Sequence, residues 1–261
     1  MKIALMDSGI GLLPAAAAVR RLRPDADLVL SWDPDGMPWG PRTPQDITRR
    51  ALAVAEAAAD HEPDVLIVAC NTASVHSLPE LRARFEPDLP IIGTVPAIKP
   101  AAAGGGHVAI WATPATTGSA YQRDLIDRFA AGVTVTEVPC PGLADAVHHA
   151  DESAIEAAIA SAAARTPEDV TTLVQGCTNY ELVGERIRAA VQRPGRPPLA
   201  LHGSAGAVAA QALRRIGAEP DPAAVADTTL TVLLSGRAAT LPDTALSYAE
   251  GRFLQAVSPV R

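Results

Sequence analysis

Short apolar runs alternate with longer, alanine-rich amphipathic stretches along most of the chain. The runs Lys2–Met6, Asp27–Ser31, Val65–Ala69, Ile91–Thr94, His107–Ala112, Val133–Val138, Thr171–Val174 and Leu199–Leu201 read as strands. Between them, Thr43–Ala59, Ser119–Ala130, Glu152–Ala164, Tyr180–Val191 and Ala205–Ile216 carry helical periodicity. Thr228–Leu234 and Tyr248–Ala256 add a late strand and a final helix. Strands alternating with helices in this way predict repeated βα units around parallel sheets.

The pattern also repeats at long range. Lys2-Ile3-Ala4-Leu5-Met6-Asp7-Ser8 is echoed 105 residues later by His107-Val108-Ala109-Ile110-Trp111-Ala112-Thr113. Val68-Ala69-Cys70-Asn71-Thr72 is echoed 107 residues later by Gln175-Gly176-Cys177-Thr178-Asn179. Cys70 lies 63 residues after Asp7, and Cys177 lies 64 residues after Thr113. Two landmarks sharing one offset point to internal duplication. The flexible Ala101–Gly106 stretch lies between the copies. The expected architecture is α/β: two pseudo-symmetric, doubly wound parallel-sheet domains facing across a central cleft. One domain is expected from 1–94 plus 206–261, the other from 95–205. Ligands of open α/β sheets bind beyond the carboxyl ends of the strands, where Asp7, Cys70, Thr113 and Cys177 all fall.

Charge narrows the partners. Lys plus Arg number 22 against 29 Asp plus Glu, a formal charge of -7, which disfavours nucleic acid as a main partner. No apolar run reaches the roughly 18 residues of a membrane span, and an acid at Asp7 comes too early for a secretory signal. A soluble, cytoplasmic protein is expected.

Cys70, Cys140 and Cys177 are the only cysteines. An odd, sparse set matches neither a disulfide framework nor a zinc pattern, and the bland reading of each is a small buried hydrophobe. Cys70 and Cys177 differ from that reading because each ends a strand and precedes small hydrogen-bonding residues. Amides at a helix start favour an anion and lower a thiol pKa; an ordinary capping motif is the competing reading. Inverting a carbon acid requires an acid and a base on opposite faces, and two thiols at the walls of a cleft meet that demand. The carbanion then rests on hydrogen bonds to the substrate carboxylate, for which Asn71, Thr72, Thr113, Thr116 and Thr178 are suitable donors.

These residues resemble a known family, the cofactor-independent glutamate racemases of the wider aspartate/glutamate racemase group. Asp7-Ser8-Gly9-Ile10-Gly11 is similar to its N-terminal Asp-Ser-Gly-x-Gly-Gly. Asp33 with Pro38-Trp39-Gly40-Pro41 resembles Asp-x-x-x-x-Pro-Tyr-Gly-Pro. Ala69-Cys70-Asn71-Thr72-Ala73-Ser74, Ala112-Thr113-Pro114-Ala115-Thr116, Cys140-Pro141 and Gly176-Cys177-Thr178-Asn179-Tyr180 resemble the remaining motifs, in order. The resemblance implies Cys70 and Cys177 as the catalytic pair, with Asp7 tuning Cys70. It implies that Asp7, Ser8, Trp39, Gly40, Asn71, Thr72 and Thr178 hold a small acidic amino acid, with Thr113, Thr116 and Asn179 expected as further contacts. It also implies no cofactor, no metal and a homodimer.

Some positions depart from the family's pattern. Asn179 stands where the family has His after Cys-Thr, His148 where it has Glu, Trp39 where it has Tyr, and Leu12 where it has a second Gly. The expectation is that His148 takes over as the tuner of Cys177, with Asn179 as a neutral bridge; the alternative for His148 is a surface histidine. Arg42 either attracts a carboxylate or is a solvated loop residue. Two rival functions use the same residues: another isomerase, epimerase or decarboxylase of a dicarboxylate-like substrate, and a ligand-binding paralogue.

Overall fold

The computed structural model describes residues 1–225 and 228–256. It divides into two compact units, Met1–Val95 with the segment from Ala205 onward, and Pro96–Ser204. In chain order the first unit contributes β1 (Lys2–Asp7), α1 (Leu13–Leu22), β2 (Asp27–Trp32), α2 (Pro44–Ala59), β3 (Val65–Val68), α3 (Asn71–Phe85) and β4 (Ile91–Gly93). The second consists of α4 (Ile98–Ala103), β5 (His107–Ala112), α5 (Ala120–Phe129), β6 (Thr134–Pro139), α6 (Leu143–His149), α7 (Glu152–Arg165), β7 (Val170–Gln175), α8 (Thr178–Glu181), α9 (Gly184–Val191) and β8 (Ala200–His202). The chain then returns to the first unit with α10 (Ala205–Arg215), β9 (Leu230–Leu234), β10 (Arg237–Ala239), α11 (Asp243–Leu246) and α12 (Ala249–Ala256).

The first sheet has the order β10-β9-β2-β1-β3-β4 and the second β6-β5-β7-β8. Within each, the first four strands of the unit lie in the order second, first, third, fourth, and all pair in parallel. The duplication read from the sequence is therefore a duplication of topology. Central strands are continuous apolar runs because helices cover both faces of a parallel sheet: Ile3, Ala4, Leu5 and Met6 are fully buried in β1, as are Val108, Ala109, Ile110 and Trp111 in β5. Each large aliphatic side chain so buried contributes about 1.5–3 kcal/mol.

Helix starts follow their caps. Thr43 accepts the Asp46 N–H ahead of α2, with Pro44 at the first position. Ser119 accepts from Gln122 ahead of α5, and Asp151 from Ala154 ahead of α7.

Two expectations are corrected. The helix foreseen over Tyr180–Val191 is two helices, α8 and α9. The Gln175 side chain donates to the Tyr180 carbonyl at 2.8 Å, the carbonyl that the Gly184 N–H of a continuous helix would use, and the chain restarts at Gly184. Nor is the first sheet wholly parallel, because β10 runs antiparallel to β9. The two residues joining them, Ser235 and Gly236, both lie in the left-handed region (φ 47° and 78°), as a two-residue hairpin turn with the right twist requires. All three residues of β10 are exposed, so no apolar pattern marks it. No described helix is long and apolar enough to cross a membrane.

Candidate active site

In the first unit Asp7 ends β1 and Cys70 follows β3, the neighbouring strand. Ala69 N–H donates to the Met6 carbonyl at 2.8 Å and extends the ladder by one residue, which fixes the cysteine beside the aspartate. The Cys70 thiol hydrogen-bonds the Asp7 carboxylate. That carboxylate also receives the Ser8 hydroxyl at 3.1 Å and the backbone N–H groups of Ser8 and Gly9. Asp7 is only 2% exposed, and burial overrides these donors, lifting its carboxyl to about 7. A carboxylate that takes up a proton near neutral pH, in contact with a thiol, is matched to removing that thiol's proton.

Cys70 caps α3 with extended backbone (φ -137°, ψ 121°), so Asn71 and Thr72 occupy the first two helical positions. Behind them Ser74 holds the frame, its hydroxyl accepting the Thr94 N–H at 2.8 Å. Trp39 is buried in the cluster that contains Cys70, Met6 and Ala73. Its indole N–H is bonded to Asp33 at 3.1 Å, so this side chain makes a wall, and its one donor is already taken. Gly40, next to it, is exposed, and a Cβ added there would touch nothing within 4 Å. Arg42 is a loop clamp: it bonds the Gly36 carbonyl and the Asp46 carboxylate, both at 2.7 Å.

The second unit repeats the frame. Gly176 N–H donates to the Trp111 carbonyl at 2.8 Å, in the same place as Ala69 to Met6. Glycine is required here, since a Cβ would lie 2.8 Å from that carbonyl oxygen. Cys177 caps α8 with φ -137° and ψ 135°, nearly the values of Cys70. Glu181, four residues on, accepts the Ser204 N–H at 2.7 Å, as Ser74 accepts that of Thr94.

The surroundings of the second thiol are different. Ala112 stands where the first unit has Asp7. The adjoining Thr113 and Thr116 pair their hydroxyls at 3.2 Å across a turn at the end of β5. Thr178 and Asn179 start α8, and the Asn179 amide donates to the Ala144 carbonyl at 2.8 Å, tying α8 to α6. His148 lies one turn further along α6 than Ala144. It is half-buried, its Nδ1 is buried with no hydrogen-bond partner among the described residues, and its ring meets His149 edge-on. Burial, then the neighbouring His149, lower it to about 4 against the pull of Asp145. It is neutral at pH 7. Tyr180 is fully buried against Cys140 and Cys177, with its hydroxyl 3.4 Å from the Cys140 carbonyl. Burial first, and Cys177 next, hold that phenol well above its ordinary pKa. Burial also pushes the Cys140 thiol up to about 12, so it stays protonated.

The structure thus brings Asp7, Ser8, Cys70, Asn71 and Thr72 together in one unit, and Thr113, Thr116, Cys177, Thr178 and Asn179 to matching strand ends in the other. The sequence assigns no role to the supports of the frame (Ser74, Thr94, Glu181 and Ser204), although Ser74 lies in the Cys70 motif and shares with Glu181 the 107-residue offset of the cysteines. Among the described residues no group of His, Cys, Asp and Glu is placed to hold a metal ion.

The sequence model of Asp/Glu/Hydantoin racemase matches residues 14–205. A glutamate racemase of Roseiflexus sp. (strain RS-1) is 39% identical over 195 residues, covering 72% of this chain and 70% of that protein. One of Pseudomonas putida (strain W619) is 37% identical over 183 residues, covering 68% and 69%. Among solved structures, the Escherichia coli glutamate racemase in complex with L-glutamate and the activator UDP-MurNAc-ala superimposes with a TM-score of 0.77 at 30% identity, covering 98% of this chain and 95% of that one.

Proposed function

This chain belongs to the Asp/Glu/hydantoin racemase family of isomerases, and from that premise we propose that it inverts the α-carbon of glutamate by two-thiol proton transfer. The observation that carries the reading is the doubled frame: two cysteines at equivalent strand ends, each capping a helix with the same backbone conformation. One thiolate removes the α-hydrogen, and the opposite thiol delivers its own proton to the other face. The Cα–H bond breaks and a new one forms with inverted configuration, leaving the proton states of the two sulfurs exchanged. Each enantiomer is the substrate of one state, so no cofactor is called for.

Asp7 takes the proton of Cys70 in this scheme, and neutral His148, with Asn179 as a neutral bridge, tunes Cys177. Ser8, Asn71, Thr72, Thr113, Thr116, Thr178 and Asn179 supply hydrogen bonds to the carboxylate and amino groups, where they stabilise the carbanion as charge develops. Trp39 and Gly40 hold the substrate through the loop they form, the open space over Gly40 admitting it. A cytoplasmic homodimer completes the proposal.

Incubating the protein with each enantiomer of glutamate and of aspartate in deuterium oxide tests it. Deuterium at Cα with loss of optical rotation, for glutamate above aspartate, is the expected result. Tight binding with no exchange would make it a binding protein instead, and exchange of aspartate alone would reassign the substrate. The second of these gains its interest from Trp39, His148 and Asn179, which replace the family's usual residues.

A further inference from the structure

Asp33 follows the first sheet's β2 and opens the loop that carries Trp39 and Gly40, and its carboxylate is the knot of that loop. It is 4% exposed and accepts three hydrogen bonds: Trp39 Nε1 at 3.1 Å, Arg50 Nη1 at 2.9 Å and Ser235 Oγ at 2.9 Å. Burial opposes its charge, but these donors prevail and hold the carboxyl below its usual range. Gly36 lies directly over the knot, where a Cβ would fall 1.9 Å from an Asp33 oxygen.

Ser235 comes from the far end of the sequence. It sits in the two-residue turn of the β9–β10 hairpin, and its N–H donates to the Trp32 carbonyl at 2.8 Å, so the pairing of β9 with β2 delivers its hydroxyl to Asp33. The same hydroxyl accepts the Asp35 N–H at 3.2 Å. Arg237, the first residue of β10, bonds Asp35 at 2.8 Å. The hairpin therefore grips both ends of the Asp33–Asp35 segment. Arg42 closes the other side of the loop on the Gly36 carbonyl, and its N–H donates to the Trp39 carbonyl at 3.0 Å. The loop falls inside the region matched by the family, residues 14–205, and the hairpin falls outside it.

We infer that Ser235 is a positioning residue for substrate binding: through Asp33 it latches the Trp39–Gly40 loop in place. The inference rests on the reading above that this loop holds the substrate. A hydroxyl with one donor and one acceptor role at a buried carboxylate does more than end a hairpin, since a turn at these angles is satisfied by glycine alone.

The test uses Ser235→Ala and Ser235→Gly in the full-length protein. Both remove the hydroxyl, while their effects on the left-handed backbone differ, alanine keeping the strain and glycine relieving it. Both variants should raise KM for glutamate about fivefold with kcat within about twofold, the signature of lost binding that is uniform between ground and transition states. Amide hydrogen exchange over residues 36–41 should accelerate about fivefold in both, and this readout does not depend on which substrate is used. Asp33→Asn should move both quantities further in the same direction. A purely structural turn would change melting temperature, differently in the two variants, and leave KM and loop exchange alone; that result overturns the inference. Faster loop exchange with no turnover of glutamate by the wild type would uphold the latch and refute the proposed substrate.

Discussion

Cys70 and Cys177 stand on the same backbone scaffold in different chemical company. Both follow the third strand of their unit, both cap a helix at φ -137°, and both are preceded by a residue bonded to the first strand's carbonyl at 2.8 Å. Beside Cys70 is a buried carboxylate; beside Cys177 are Tyr180, the end of α8 and the anchor of α6, with Ala112 where the carboxylate would be. The duplicated fold thus sets where a thiol sits, and side chains that are not duplicated set how its proton is managed. A reaction that runs in both directions needs equivalent positions for its two thiols, whereas their partners are free to differ.

The sharpest way to break this comparison is at Asp7. Asp7→Asn keeps the shape and removes the proton acceptor, so turnover should fall by about 10²–10⁴, the usual contribution of a positioned acid or base. Stability should move the other way. Because the folded-state pKa is raised to about 7, the stability given by this group is full below the ordinary carboxylate range and is lost as pH climbs through 7. The variant escapes that loss, so its melting temperature should exceed the wild type's at pH 8 by more than at pH 4. The gain should be roughly 2–4 °C for each kcal/mol recovered. Calorimetry at the two pH values checks it; equal differences would show that the carboxyl is not perturbed.

A smaller effect is expected on the other side. His148→Gln should lower kcat by about tenfold, less than a positioned acid or base contributes, because it acts through another group. Since its folded pKa is lowered to about 4, its stabilising contribution is present above about 6.5 and is lost as pH falls toward 4. The variant's melting temperature should therefore fall less than the wild type's between pH 7 and pH 4. Unchanged kcat in both directions would make His148 a bystander. The smallest effect belongs to Cys140, whose thiol stays protonated. Cys140→Ala should keep turnover within about twofold and cost about 1 kcal/mol of stability as a small cavity in the core, measurable by urea unfolding.

Much of this was legible in the sequence because its signals are local or repeated. Buried parallel strands are apolar runs, and the shared offset of the two cysteines announces the doubling. What stayed hidden depends on contacts between distant residues. The break between α8 and α9 comes from the Gln175 side chain reaching the Tyr180 carbonyl, and β10 is exposed and three residues long. The Ser235 hydroxyl meets an aspartate 202 positions earlier in the chain. Trp39 reads as a binding side chain, and its motif gives no sign that Asp33 already holds its indole N–H. Arg42, left open between two readings, is settled as a clamp by bonds to Gly36 and Asp46.

The division of labour between the thiols is tested most directly by removing them one at a time and following each glutamate enantiomer in deuterium oxide. A lone base returns a proton only to the face it serves. Cys70→Ala and Cys177→Ala should each abolish racemisation, while one variant exchanges Cα–H in only the D enantiomer and the other in only the L, with configuration retained. If both variants exchange the same enantiomer, or if either still inverts it, opposed thiols are not the agents of this reaction.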